Sequence, residues 1–299
     1  MRTTSEQLNE HELAELTSEL RRIRVFSKRF VESELQGNYR TKFKGSGLIF
    51  SDLREYQPGD DVKHIHWKVT ARTKRPFVKT YEEERQLSVL LAIDESSSMS
   101  SGISASRNKR LRLFSGLVAT LARKNGDLLG FLTFGKIIHD FVKPSGARSS
   151  YQRIWKLLLE SRPFHEATDL NAPLQFMSKQ LRKHSVVFLC SDFVSPVFEE
   201  SLKRLSVSHD VVCVYLKEDW SAALPRGGLV EFEDPESGRR RILDTSSRKV
   251  RRSLEDREEW KADSLRKLCR SVRAEALILS SNLAQDFRNF MRARERRSR

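Results

Sequence analysis

The sequence predicts an α/β fold: a doubly wound, mostly parallel sheet, with an N-terminal helix and a β-hairpin segment in front of it. Beyond residue 85, apolar runs of strand length alternate with amphipathic helical stretches, which is typical of a parallel sheet covered by helices on both faces. Two of the apolar runs end close to an aspartate, Asp94 in LAIDESSSMSSG and Asp192 in LCSDF. Ligands of such sheets bind beyond the carboxyl ends of the strands, so both aspartates are candidate site residues.

Residues 1–85 are interpreted as a first unit. A helix is predicted over 5–30 because apolar residues recur there at helical spacing, at Leu13, Leu16, Leu20, Ile23 and Phe30. Glycines and prolines divide residues 40–85 into short pieces rich in β-forming residues, which favours an extended, hairpin-like segment that leads into the first strand of the sheet. We expect an ion-pair network to tie this segment to the sheet, with Arg54, Glu55, Asp60, Asp61 and Arg72 as its members.

Residues 86–299 are interpreted as a second unit that contains the sheet. The apolar runs predict strands over 87–93, 127–134, 137–142, 185–190, 210–216 and 276–279. The amphipathic stretches predict helices over 109–124, 151–161, 170–183, 197–205, 249–272 and 283–296. The Pro235–Gly238 turn lies between two β-rich pieces, so a small hairpin is expected as an insertion at about 226–245.

Composition and cysteine usage indicate a cytoplasmic protein without a membrane span. No stretch approaches the ~18 apolar residues that a membrane helix needs, and the N-terminus lacks the apolar core of a signal peptide. The three cysteines, Cys190, Cys213 and Cys269, contain no CxxC pair, which favours a reducing compartment over a disulfide framework or a zinc site.

The net charge of +15 raises the question of an anionic partner. Basic residues outnumber acidic ones between Glu236 and Arg299, so the C-terminal helices could associate with nucleic acid, and this is the alternative function. Aspartates and glutamates are interleaved with these basic residues, and no nucleic-acid-binding motif accompanies them. A solvated helix face explains the same pattern, so nucleic acid is not the expected partner.

The segment after the first strand is rich in hard oxygen ligands. Asp94 is followed by hydroxyls at Ser96 and Ser98, a spacing that can direct all three side chains toward one point. Mg²⁺ prefers oxygen ligands in octahedral geometry and takes one or two protein carboxylates, and the absence of Cys and His from this set argues against zinc. The alternative is a serine-rich turn that caps the next helix.

DESSS resembles the Asp-x-Ser-x-Ser start of the metal-ion-dependent adhesion site (MIDAS) of von Willebrand factor type A domains. The resemblance implies that Thr168 in HEATDL and Asp192 in LCSDF complete the ligand set with Asp94, Ser96 and Ser98. The cation implied is Mg²⁺ or another divalent ion such as Mn²⁺. The glycines that usually precede the threonine are replaced here by Glu166 and Ala167.

A second resemblance covers about residues 40–290. The stretch GSGLIFSDLREYQPGDDVKHIHWKVTARTKRPFVKTYEEER, together with the later EDPESGRRRILDT, resembles the signature of the bacterial "domain of unknown function fifty-eight" family. Members of that family join this segment to a type A-like domain, and their genes are commonly found beside those of MoxR-type AAA+ ATPases. The fold class implied is therefore von Willebrand factor type A-like.

Together the resemblances imply a non-catalytic, metal-dependent protein-interaction module. The expected partners are a MoxR-type AAA+ ATPase, a client protein that offers a carboxylate to the metal, or both. The expected role is that of an adaptor or regulator in chaperone-like maturation or regulation of the client. The client and its pathway are not specified by the sequence.

Other residue patterns favour catalysis less. No P-loop, GxSxG elbow or HExxH helix is present, and no acid is placed by the sequence to orient Ser97 and His165 as a nucleophilic pair. A metal-dependent hydrolase built on Asp94 and Asp192 would need more carboxylates than this cluster offers. His64 and His66 would share one face of a strand and could bind a metal, but two half-buried polar residues on a hairpin, packed near Trp67, are the favoured explanation.

Overall fold

A computed structural model describes residues 48–83, 86–100, 105–160, 168–195, 197–220, 224, 227–233 and 240–297. The helix predicted over 5–30 lies outside these residues, as do Glu166, Ala167 and the Pro235–Gly238 turn. The division of the chain at residue 85 stays a prediction.

The segment before the sheet is an antiparallel hairpin with helical turns between its strands. Strand β1 (Leu48–Glu55) pairs with β2 (Phe77–Glu83), and a 3₁₀ turn (Val62–His64) and helix α1 (Trp67–Thr73) lie between them. The sequence predicts extended chain at α1, because its β-branched and aromatic residues favour strands. The helix forms instead with an unusual N-cap, since His66 Nδ1 accepts a hydrogen bond from the Val69 amide.

The predicted ion-pair network is only partly correct. Arg54 pairs with Asp60 (2.9 Å from Nη1 to Oδ2), and Glu55 pairs at 3.1 Å with Arg75, which is not among the predicted members. Both pairs lie within the hairpin segment itself, so they stabilise its turns and do not tie the segment to the large sheet.

The central sheet has six strands: β3 (Ser88–Asp94), β4 (Leu128–Phe134), β5 (Ile138–Ser145), β6 (Val186–Cys190), β7 (Asp210–Leu216) and β10 (Glu275–Leu279). Their order in the sheet is β10–β7–β6–β3–β4–β5. Five strands are parallel, and β5 runs antiparallel to β4 at one edge. The predicted doubly wound, mostly parallel sheet is therefore confirmed.

Helices cover both faces of the sheet. A short helix, α2 (Ser97–Ser100), follows β3; the longer ones are α3 (Ala105–Asn125), α4 (Arg148–Leu159), α5 (Asn171–Gln180), α6 (Glu199–Ser208), α7 (Arg248–Ser271) and α8 (Leu283–Arg297). Alternate residues of β3 point to opposite faces: Val89 and Leu91 pack with α3, α4 and α8, whereas Leu90 packs with α5, α6 and α7. Both hydrophobic cores therefore depend on the same buried strand.

The boundaries of several elements differ from the predictions. α3 begins at Ala105 and α4 at Arg148, each a few residues before its predicted start. Their first turns are polar and show no apolar periodicity, so the apolar pattern did not predict them. The predicted hairpin is present as β8 (Leu229–Glu233) and β9 (Arg240–Asp244), an antiparallel pair outside the main sheet. Among the residues that the structure describes, no helix has the length and apolar character that crossing a membrane requires.

Candidate functional site at the carboxyl edge of the sheet

The two predicted aspartates lie at the same edge of the sheet. Asp94 is the last residue of β3, and Asp192 follows the end of the neighbouring strand β6 by two residues. Because Ile93 is paired with Cys190 in the parallel register, the chain leaves both strands side by side. The topology therefore places both carboxylates where ligands of parallel sheets bind.

Asp94 is buried, and its carboxylate is the centre of a hydrogen-bond cluster. Thr168 Oγ1 donates to it, at 3.1 Å from Oδ2 and 3.3 Å from Oδ1. Ser191 Oγ donates to Oδ2 at 2.6 Å, and the Ser96 amide donates to Oδ1 at 3.0 Å. Three separate segments of the chain thus fix the orientation of one carboxylate.

The two predicted serine ligands lie beside this carboxylate. Ser96 Oγ and Ser98 Oγ are 3.1 Å apart, and Ser96 lies between Asp94 and the start of α2. A short helix begins within this stretch, at Ser97, which the alternative interpretation of a serine-rich cap also requires. A cap alone does not account for the side chains, because the hydroxyls lie next to a buried carboxylate.

Asp192 completes the set through its charge. It is buried, and its Oδ1 accepts a hydrogen bond from the Val194 amide at 3.0 Å. Burial, and after it the nearby negative charge of Asp192, raise the pKa of Asp94 to about 6, against the hydrogen bonds from Ser191 and Ser96, which lower it. We call Asp94, Ser96, Ser98, Thr168 and Asp192 the carboxyl-edge site; their role as metal ligands stays a prediction.

The carboxyl-edge site suits a hard cation. Its donor atoms are carboxylate and hydroxyl oxygens, the ligands that Mg²⁺ and Mn²⁺ prefer. Cys190 lies on β6 opposite Ile93, the residue before Asp94, and is buried. Burial raises the pKa of its thiol far above the usual range, so the thiol stays protonated and is a poor metal ligand. A divalent cation between Asp94 and Asp192 would offset the repulsion between two buried negative charges.

No cluster of three or more His, Cys, Asp or Glu side chains within the described ranges is placed to hold a metal. The carboxyl-edge site has only two carboxylates, and its other donors are hydroxyls. His64 and His66 do not form a metal pair, because His66 Nδ1 is engaged as the N-cap of α1. A cation site in the described part of the chain would therefore rest on hydroxyl oxygens as well as carboxylates.

Ser191 contacts the site but was not among the residues predicted from the sequence. Its Oγ donates to Asp94 and accepts a hydrogen bond from the Phe193 amide at 3.1 Å, so one side chain links both aspartate loops. The signal was available, since a hydroxyl directly precedes Asp192 at the end of a buried strand. Phe193 itself has a left-handed backbone with φ of 56°, a conformation that costs a non-glycine residue free energy and often occurs at functional sites.

A buried charge cluster lies beside the site, after the next strand, β7. Glu218 is 3.3 Å from Arg107 Nε on α3, and its amide donates to Glu258 Oε2 on α7 at 3.0 Å. Tyr215 donates to the same Glu258 oxygen at 2.6 Å. Through Glu218, these contacts link α3 and α7, which cover opposite faces of the sheet. Burial raises the pKa of Glu218, and Arg107 opposes that shift.

A family model described as "Protein of unknown function DUF58" matches residues 52–264. Among curated relatives are uncharacterised proteins of Mycobacterium tuberculosis and Mycobacterium bovis. Each is 26% identical over 227 residues, which is 75% of this chain and 72% of the relative.

Solved structures that are similar to this one include two from Bacteroides. An aerotolerance-related membrane protein of Bacteroides fragilis has a TM-score of 0.43 and 12% identity, and covers 71% of this chain and 99% of its own. The conserved hypothetical protein BatB of Bacteroides thetaiotaomicron has a TM-score of 0.43 and 13% identity, covering 69% and 99%. Proximal thread matrix protein 1 of the mussel byssus, in a structure with a zinc-occupied MIDAS motif, has a TM-score of 0.35 and 16% identity, covering 44% and 38%.

Proposed function

The chain belongs to the DUF58 family of proteins of unknown function and has a von Willebrand factor type A-like fold, and we propose that it is a non-catalytic, metal-dependent protein-interaction module. In this proposal, the carboxyl-edge site binds Mg²⁺ or a similar divalent cation such as Mn²⁺. When bound, the cation supplies a coordination position that a carboxylate of a partner protein can fill.

One observation carries this proposal. The buried carboxylate of Asp94 accepts hydrogen bonds from the hydroxyls of Thr168 and Ser191, and a second buried carboxylate, Asp192, is near enough for its charge to raise the pKa of Asp94. A structural core gains nothing from two adjacent carboxylates, since each loses hydration and repels the other. The same arrangement is favourable as a preformed cation site. The hydroxyls of Ser96 and Ser98 add oxygen donors on the side of the serine loop.

The proposed partner is a MoxR-type AAA+ ATPase, with a client protein whose maturation or regulation the two support in a chaperone-like manner. This proposed partnership rests on the resemblance of the hairpin segment and the type A-like domain to a family whose genes are commonly found beside those of such ATPases. The cytoplasm is the proposed location, because the cysteine usage suits a reducing compartment.

The nucleic-acid alternative gains no support from the family or from the similar structures. Basic side chains on the C-terminal helices contact acidic ones: Arg266 pairs with Asp263 on α7, and Arg294 on α8 pairs with Asp210 and with Glu275. Such pairing reduces the charge available to a phosphate backbone.

A titration of the purified protein with MgCl₂ or MnCl₂ tests the metal assignment. We expect both salts to raise the Tm of the wild type, because a ligand that binds only the folded state stabilises it. Asp94→Asn should show no rise. Asp263→Asn is the matched control, since it removes an exposed carboxylate from a surface ion pair and should respond like the wild type. An equal response of Asp94→Asn would rule the metal site out.

The partner assignment needs a separate measurement at constant Mg²⁺, because the ATPase itself requires Mg²⁺ and ATP. Biolayer interferometry with the purified MoxR-type ATPase of the same genome would compare the wild type, Asp94→Asn and Asp263→Asn. We expect binding by the wild type and the Asp263 variant and at least about tenfold weaker binding by Asp94→Asn. Binding that all three share would place the ATPase contact elsewhere on the molecule.

A further inference from the structure

Three exposed aliphatic side chains lie on loops at the same edge of the sheet as the carboxyl-edge site. Val194 and Val197 follow Asp192 in the loop after β6, and Ile137 lies in the tight turn after β4, the other strand next to β3. Their exposed fractions are 51%, 82% and 58%. We call Ile137, Val194 and Val197 the aliphatic rim. Single exposed aliphatic residues are common, but three at one end of the sheet, on loops around one site, define a candidate contact surface.

Hydrogen bonds join the loops that carry the rim. The Asp169 amide donates to the Gly135 carbonyl at 3.3 Å, which links the loop of Thr168 to the turn of Ile137. The Leu170 amide donates to Ser195 Oγ at 3.1 Å, and Asn171 Nδ2 donates to the Val197 carbonyl at 2.7 Å. The rim and the site therefore belong to one connected surface.

The backbone at Phe193 fixes the direction of Val194. Phe193 adopts a left-handed φ of 56°, which costs an L-residue about 1–2 kcal/mol. The Phe193 amide donates to Ser191 Oγ, and the Val194 amide donates to Asp192 Oδ1. The Phe193 ring packs near that of Phe198, with centroids 6.3 Å apart. The loop that carries Asp192 thus turns Phe193 partly into the core and leaves Val194 exposed.

Charge around the rim restricts what can bind. Lys136 is exposed next to Ile137, so one side of the rim attracts an acidic group. Glu199 and Glu200 begin α6 just beyond Val197 and are exposed, so the other side repels a run of acidic groups. A polyanion such as nucleic acid would leave the aliphatic side chains without apolar contact and would meet these two glutamates.

We infer that the aliphatic rim and the carboxyl-edge site together bind an extended segment of a partner protein in which a single Asp or Glu is flanked by aliphatic residues. The acidic side chain reaches the cation, and the flanking aliphatic side chains bury Ile137, Val194 and Val197. This inference rests on the proposed function, because it takes the cation at Asp94 as the anchor. It adds the chemistry by which the partner segment is selected.

A library of random peptides displayed on phage, selected on immobilised protein in the presence of MgCl₂, tests the inference. The proteins to compare are the wild type, Val194→Ser/Val197→Ser, Asp94→Asn and Val207→Ser. Val207 is the matched control, since it is 72% exposed and lies in the last turn of α6, at the end of that helix away from the rim. Selected peptides are then synthesised, and their affinities are measured by fluorescence polarisation.

The expected result is enrichment of peptides with one acidic residue next to Val, Ile, Leu or Met. The double serine variant should bind them about tenfold more weakly, because it removes about 1.4 kcal/mol of apolar burial, and Val207→Ser should bind like the wild type. Acidic peptides without aliphatic neighbours, bound equally by the double serine variant, would overturn the rim while leaving the metal site intact. Peptides that bind Asp94→Asn as well as the wild type would overturn the proposed function and this inference with it.

Discussion

Ser191 donates a hydrogen bond of 2.6 Å from its Oγ to Oδ2 of Asp94, so the chain leaving strand β6 fixes the carboxylate that ends strand β3. The same oxygen of Asp94 receives the Thr168 hydroxyl. Oδ1 accepts from the Ser96 amide and, at 3.3 Å, from Thr168. The carboxylate is therefore held on both oxygens before any partner or cation binds.

Ser191→Ala should lower the affinity for Mg²⁺ about tenfold, as loss of a group that orients a metal ligand typically does. It should also cost about 1–3 kcal/mol of stability, since a buried carboxylate loses a donor. Isothermal titration calorimetry and chemical denaturation measure the two effects. Ser185→Ala is the control: Ser185 lies at the start of β6, is buried and bonds to Ser88 Oγ at 2.9 Å. It should lose stability while keeping the affinity for Mg²⁺, and an equal loss of affinity in both variants would contradict the role of Ser191.

Tyr215→Phe should destabilise the protein by about 2 kcal/mol, because the buried carboxylate of Glu258 loses a charge-assisted hydrogen bond of 2.6 Å. Tyr151→Phe is the comparison. Its hydroxyl donates to the Asp127 carbonyl at 2.8 Å, a neutral acceptor, and the expected loss is about 1 kcal/mol. Urea denaturation of both variants gives the difference. A smaller loss for Tyr215→Phe than for Tyr151→Phe would show that the Glu258 cluster contributes little.

Acid should destabilise the protein partly through His209. Burial lowers the pKa of His209 below its usual 6.5, and the neighbouring His184 lowers it further. Below pH 6.5 the unfolded chain therefore takes up a proton that the folded protein resists, so stability falls as the pH falls through this range. His209→Gln should make the free energy of unfolding less dependent on pH below 6.5. Denaturation curves at a series of pH values decide this, and an unchanged slope in His209→Gln would refute it.

Gly130→Ala should destabilise the sheet by about 1–3 kcal/mol through overpacking. A Cβ at Gly130 on β4 would lie 2.8 Å from the Pro144 ring and 2.9 Å from Leu90 Cδ1. Gly146→Ala is the control, because a Cβ there would meet Leu128 at 3.6 Å, an ordinary contact. Thermal unfolding should separate the two variants clearly; equal Tm values would mean that β5 moves away from β4 without cost.

The sheet could be predicted because its strands are buried on both faces and therefore appear as continuous apolar runs. The run at 87–93 became β3, and the run at 210–216 coincides with β7. α1 could not be predicted in the same way. Its sequence WKVTART favours a strand, and its N-cap is His66, a residue type that seldom caps helices.

The candidate site was predictable only as far as its motif extends. Asp94, Ser96 and Ser98 lie at alternate positions of one short motif. The resemblance to the metal-ion-dependent adhesion site supplied Thr168 and Asp192. The rim could not be predicted from sequence. Val194 and Val197 belong to a short stretch, SDFVSPVF, whose apolar residues follow neither helical nor strand spacing and which contains the left-handed backbone of Phe193.

The partners of the Asp94 carboxylate are distant in the chain: Thr168 is 74 residues away and Ser191 is 97 residues away. An unfolded or half-folded chain has no position at which these oxygens meet. A protein that binds through this carboxylate therefore recognises only chains in which β3 and β6 have already paired. The carboxyl edge therefore presents the oriented Asp94 carboxylate only after the centre of the sheet has formed.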